Sequence, residues 1–217
     1  MGRLLNSFGR TRTFLDNSDY VVYRKNTAGS WSYTIPETRL YYIDAVGGGA
    51  GGWAVHLHRY IGHDSYMHLP FGGGGSGWSD FGPFFLTKGT VISGTVGAGG
   101  AGKTDDIGSS TYGTFTSNAG GNTTAVVNGT TYTQQGGIAA TITHESSDEY
   151  GTWTNSYGSP GTKVNGNNGV RATTTGTGGA SVLENAGWGG NSSTPIGGGL
   201  DANAGGAGLI RVRIAKG

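Results

Sequence analysis

Ala45-Val46-Gly47-Gly48-Gly49-Ala50-Gly51-Gly52 is the stretch on which the fold turns, because an apolar run stops there and nearly bare backbone takes over. Similar blocks recur: Gly72 to Gly75 with Ser76-Gly77, Gly97-Ala98-Gly99-Gly100-Ala101-Gly102, Gly120-Gly121, Gly136-Gly137, Gly178-Gly179, Gly189-Gly190, Gly197 to Gly199, and Gly205-Gly206-Ala207-Gly208. Glycine contributes 46 of 217 residues and charged residues only 12%, far from ordinary globular usage.

Collagen is excluded, since the blocks break the triplet repeat and there are 5 prolines. A flexible linker or disordered tract is excluded by 5 Trp, 11 Tyr and 7 Phe spread along the chain, which is surface such tracts lack. What remains is a folded array in which backbones touch. An extended polyproline-II-like rod turns every three residues and has no internal hydrogen bonds, so its amides must pair with neighbouring rods, and glycine lets the rods approach. Ordering so much glycine is entropically costly, so the array has to be densely hydrogen-bonded.

Outward from the blocks the pattern is β-like. Val21-Val22-Tyr23, Trp31 to Ile35 before Pro36, Leu40 to Val46, Thr90 to Val96 and Gly208 to Ile214 are short, turn-bounded apolar runs, and no amphipathic helix is evident. The expected class is therefore all-β or irregular: short β-strands plus a stacked array of polyglycine-II (PPII-like) rods joined by loops, without substantial helix. Residues 1–26 are glycine-poor and carry Arg3, Arg10, Arg12, Arg24 and Lys25, and they read as an N-terminal attachment arm preceding a glycine-rich domain at 27–217. They lack the dense basic run and aromatic interleaving of a nucleic-acid binder. No cysteine is present, and no apolar stretch has the length of a signal peptide or a membrane span. Asn122, Asn128 and Asn191 begin glycosylation-type triplets and read as loop residues.

Gly29-Ser30-Trp31-Ser32-Tyr33-Thr34-Ile35-Pro36, Ala45 to Gly49, Gly72 to Gly77, Val96 to Gly100 and Gly205 to Val212, in that order, resemble the glycine-rich domain of bacteriophage tail-fibre proteins. The organisation is also similar to the adhesins that cap T-even-like long tail fibres, which carry a more substantial attachment region than residues 1–26. The resemblance spans residues 27–215. It implies a viral protein of the virion tail fibre, made in the bacterial cytoplasm, that recognises a host outer-membrane protein or surface glycan through loops between glycine-rich rods. It also implies docking to other fibre or virion subunits through the arm, a trimer as one oligomeric option, and neither membrane insertion nor nucleic-acid binding. The alternative is a structural decoration or fibre component without receptor contact.

Contact-type side chains cluster in segments 53–70, 103–118, 138–160 and 180–196, which are expected as loops. Aromatic groups give rigid contact area and small polar neighbours give adaptable hydrogen bonds. The expected receptor-binding residues are Trp53, His56, His58, Arg59, Tyr60, His63, Tyr66, His68, Tyr112, Tyr150, Trp153, Tyr157 and Trp188, whereas Trp31, Tyr41, Phe84 and Phe85 are expected in the core. His56 and His58 would point the same way in a strand and are the only metal candidates, although further ligands at fixed spacing are not evident.

Gly97 to Gly102 with Lys103-Thr104 matches a P-loop, but the acidic, helix-poor continuation Asp105-Asp106-Ile107-Gly108 would present carboxylates to phosphate. Asp105/Asp106 and Asp148/Glu149 are adjacent carboxylates better suited to solvation than to glycosidase chemistry, and no nucleophile–base arrangement is visible. The expectation is a non-enzyme without cofactor.

Overall fold

The computed structural model describes residues 19–60, 64–108, 113–145, 152–156, 176–180, 183–193 and 200–215, with backbone alone for residues 19, 57–60, 64–68, 144–145, 152–156 and 215. Among them the chain is all-β, without helix. The strands are β1 (Asp19–Lys25), β2 (Gly29–Thr34), β3 (Arg39–Val46), β4 (Trp53–Tyr60), β5 (Asp64–Phe71), β6 (Trp78–Leu86), β7 (Val91–Val96) and β8 (Lys103–Ile107). They continue with β9 (Gly113–Thr116), β10 (Thr123–Val127), β11 (Thr130–Gln134), β12 (Thr141–Glu145), β13 (Thr152–Ser156), β14 (Ser192–Ser193), β15 (Asp201–Ala202) and β16 (Leu209–Ala215).

A first 4-stranded sheet, in the order β1-β16-β3-β6, faces a second of order β11-β10-β7-β2. Alternation builds the core between them. Tyr41, Ile43 and Ala45 of β3 are fully buried, as are Ile92 of β7 and Ala125 of β10. With Trp31, Ile35, Phe81, Val96, Val127, Ile210 and Val212 they form one apolar cluster. Each large side chain so buried contributes about 1.5–3 kcal/mol. The β10–β11 hairpin turns at Asn128-Gly129, both at positive φ (50° and 79°), the geometry that keeps a two-residue turn in step with strand twist.

On the outer face of the first sheet, Asp44 is fully buried and accepts from Arg211 Nε at 2.6 Å and Arg213 Nε at 2.7 Å. Glu184, at the turn between Leu183 and Ala186, pairs in turn with Arg211 and Arg24. Residues 19–25, the end of the segment set apart as an arm, are therefore a strand of this sheet, with Val22 and Tyr23 packed on its core.

Two smaller sheets lie beyond the glycine blocks. Order β5-β4-β8 makes a third sheet and β13-β12-β9 a fourth, each 3-stranded, with a second core of Trp53, Val55, Phe71, Ile107, Ala140 and Ile142 between them. The segments expected as loops at 53–70, 103–118 and 138–160 thus contain six strands of these sheets, β4, β5, β8, β9, β12 and β13. Their polar outer residues hide a single inward row.

The glycine segments connect the two sheet pairs. Residues 47–52 run from β3 to β4, 72–77 from β5 back to β6, 97–102 from β7 to β8, 117–122 from β9 to β10, 135–140 from β11 to β12, and 203–208 from β15 to β16. None of these residues is in a strand. Their amides bond to one another at an interval of three. Gly48 and Gly51 donate to Gly121 and Asn118, Gly49 and Gly52 to Gly206 and Asn203, and Ala50 to Gly74. The carbonyls of residues 47–52 accept in turn from Gly100, Gly137, Gly190 and Lys103. The segment at 47–52 is thus bonded on every side by glycine segments, and the interval returns at Gly73 and Ser76, which donate to Gly190 and Gly187.

Side chains are excluded by contact. A Cβ at Gly48 would sit on the Ala98 carbonyl, at Gly49 on that of Trp188 and at Gly99 on that of Gly205. Of the alanines in these segments, Ala98, Ala101 and Ala119 are exposed, whereas Ala50 and Ala140 are fully buried.

Candidate functional site

The P-loop match in the sequence does not fold as a P-loop. Lys103 opens strand β8 instead of a helix, so no helix N-terminus faces Gly97 to Gly102. The amides of this block are committed to the array, Gly100 to Gly49 and Lys103 to Gly52. Lys103 Nζ lies 2.8 Å from Asp105, 2.9 Å from the Thr116 carbonyl and 5.4 Å from the centre of the Trp53 ring, a cation fastening the second core.

Trp53, expected at the surface, is fully buried. It is the first residue after the Gly47–Gly52 block, packs on Phe71 at 5.4 Å between ring centres and donates its indole N–H to Asp105 Oδ2 at 2.8 Å. This is a correction: Trp53 begins the inward alternation Trp53-x-Val55 of β4, and its neighbours in register, Phe71 and Lys103, close over it. A ring so enclosed is a core element and has no face for a receptor. The apolar alternation with Leu69-x-Phe71 was the available signal.

The register sorts the remaining candidates by face. His56 pairs with His68 and His58 with Tyr66 across β4–β5, and together with Tyr60 these positions lie on the face of the third sheet opposite Val55. Arg59 falls at a position of the inward face. His56 is half-buried. Trp153 pairs with His144, on the Ile142 face of the fourth sheet. His63, Tyr112, Tyr150 and Tyr157 lie outside the described residues.

Trp188 stands apart, in the glycine segment at 187–191. It is 41% exposed, and a Cβ on Gly206 would meet its indole, so the ring lies against a neighbouring glycine segment and stays partly open to solvent. Trp31 and Tyr41 are buried as expected. Phe84 packs edge-on against Tyr132 at 5.2 Å, whereas Phe85 is 67% exposed beside Leu40 on the outer face of the first sheet. The doublet straddles the strand and only one ring can point inward.

Among the described side chains, no group of three or more His, Asp or Glu is gathered closely enough to hold a metal ion. The third sheet's outer face thus offers imidazole, phenol and carboxylate positions in rows, a surface suited to hydrogen bonding and ring stacking.

A family model described as a glycine-rich domain matches residues 26–213. The chain belongs to this glycine-rich domain family. The match takes in β2 to β15, most of β16 and the glycine segments that join them. No curated protein matches the chain.

Proposed function

We propose that this glycine-rich domain is the receptor-binding module of a bacteriophage tail fibre, a virion adhesin without enzymatic activity. The glycine segments act as stacked polyglycine-II-like rods, supported by the interval of three in their hydrogen bonding, which a helix of three residues per turn requires.

The observation that carries the reading is the polarity of the chain path. β1 and β16, the first and last described strands, pair with each other in the first sheet. Every glycine segment that leaves the first or second sheet for β4, β8 or β12 delivers the chain to the sheets carrying the contact-type residues. One end therefore joins the rest of the fibre and the other presents the positions of His56, His58, Tyr60, Tyr66 and His68 to the host surface. The rods hold the two apart and rigid, and Trp188 adds a contact on their flank. A bacterial outer-membrane protein or a surface glycan satisfies this chemistry.

Exchanging residues 53–71 and 141–156 for those of a sibling fibre tests this, with host range as the readout. Host range should follow the exchanged hairpins. Unchanged host range with a folded protein overturns the reading in favour of a structural fibre component.

A further inference from the structure

Within the array, the interval of three gives a segment distinct rows. In the segment at 97–102, Gly97 and Gly100 form one row, and a Cβ on either would meet a carbonyl of the segment at 117–122. Gly99 and Gly102 form a second, against the carbonyls of Gly205 and Ala202. Ala98 and Ala101 form the third, and both are exposed. The row that turns to solvent is the row that carries side chains.

The rule holds around the array. Trp188 and Asn191 are the exposed residues at 187–191, Gln135 and Ile138 at 135–140, and Thr177 and Ala180 at 176–180. The segment at 117–122 exposes Asn118, Ala119 and Asn122, and that at 203–208 exposes Asn203 and Ala204. Among the described residues of these segments, no glycine is exposed. Gly206 is buried because the Trp188 indole covers the place its Cβ would take.

An exposed row of glycine would offer the surface on which segments already meet inside the molecule: bare backbone, with no atom to keep a neighbour away. The amides of Gly97 and Gly100 go to Thr123 Oγ1 and the Gly49 carbonyl, whereas among the described residues no protein group accepts from those of Ala98 and Ala101. An unpaired sheet edge carries the same liability towards another chain. We propose that the outward side chains, with Ala98, Ala101 and the Trp188 indole foremost, bar the array from taking in the glycine segments of a second copy of this chain. The inference stands on the array alone and goes beyond the receptor-binding reading.

The test compares the full chain with A98G/A101G and with W188A by sedimentation velocity over a range of concentrations, with circular dichroism and thermal melting of the same samples. A98G/A101G opens one outward row, and W188A uncovers Gly206 without adding a glycine. Both should keep the parent's dichroism and gain a reversible, concentration-dependent species of at least about twice the parent's mass. A98S/A101S, which keeps a side chain at each position, should sediment as the parent does. Loss of an exposed apolar ring by itself makes a surface less adhesive, so association of W188A points to the uncovered glycine. Folded A98G/A101G with the parent's mass at every concentration overturns the proposal, because added chain freedom lowers stability without causing association. Where A98G/A101G does not fold, W188A decides in the same way. Equal association by A98S/A101S also overturns it, since a side chain at those positions then bars nothing.

Discussion

The facing first and second sheets and the glycine segments both exclude water from their interiors, but by opposite means. Between the sheets, side chains fill the gap, and Tyr41, Ile43, Ile92 and Ile210 are buried against one another. In the array nothing fills a gap because backbones touch, and the amides of Gly48, Gly49 and Ala50 spend themselves on three different neighbours. The first arrangement is stabilised by apolar area and adapts to changes of shape. The second is stabilised by hydrogen bonds whose geometry admits no extra atom. The closest backbone packing in this molecule therefore lies in the part with the least side chain.

The largest expected effect comes from breaking that rule at its centre. In G51A the added Cβ would lie 2.6 Å from the Ala101 carbonyl carbon and 2.8 Å from the Gly100 oxygen, backbone on both counts. We expect a loss above about 4 kcal/mol, a large share of the about 5–15 kcal/mol that ordinarily holds a domain folded, seen as a steep drop or loss of the thermal transition. G129A is the control. Its φ is 79° and nothing lies within 4 Å of the added carbon, so it should cost only about 1–2 kcal/mol of backbone strain. Equal losses in the two variants would show that contact between backbones is not what glycine provides.

Asp44 comes next. D44A leaves Arg211 and Arg213, whose side chains are 11% exposed, without their shared carboxylate. Removing one partner of a buried ion pair costs about 3–5 kcal/mol, measurable as a shift in urea midpoint. A loss below about 1 kcal/mol would mean that Glu184 and Asp80 take over both guanidinium groups.

I92A sharpens the contrast. Deleting most of a fully buried side chain should cost about 2–5 kcal/mol and leave a folded protein. Adding one carbon to the array should do more damage than removing several from the core. If I92A unfolds the chain while G51A does not, the ranking of the two regions is reversed.

The same division explains what could be read in advance. Runs with clean alternation, Trp31 to Ile35, Leu40 to Val46 and Thr90 to Val96, became strands because period two is visible where one face is apolar. β12, Thr141-Ile142-Thr143-His144-Glu145, shows one aliphatic residue, and its partners Phe115 and Asn155 are distant in sequence. Its strand character depends on tertiary pairing, so the segment reads as a loop. The array was legible as a need for backbone contact, yet which block bonds which is written in no residue type. Trp53 was misplaced because a tryptophan at the end of a glycine block suits either a contact loop or the base of a hairpin. Only the register against Phe71 decides.

The smallest effect separates the regions by pH. The array is held by amides, which do not titrate, whereas the core holds a buried phenol. Burial pushes Tyr41 above its ordinary value, with smaller contributions from its neighbours, and its hydroxyl donates to the Glu37 carbonyl at 2.8 Å. Tyr33 is raised too, by burial first and then by Glu37. Above the ordinary tyrosine range, near pH 10, the unfolded chain ionises these phenols while the folded chain keeps its protons. The folded state then binds more protons, so stability falls as pH rises past that point and is unaffected below it. Y41F should cost about 1 kcal/mol at neutral pH for the lost hydrogen bond, and its urea midpoint should fall less than the parent's between about pH 9 and pH 11. Parallel alkaline slopes in the two proteins would put the titrating group elsewhere. A residual slope in Y41F belongs to Tyr33 and the other titrating groups outside the glycine segments, because the amide bonds of those segments have no proton to give up in this range.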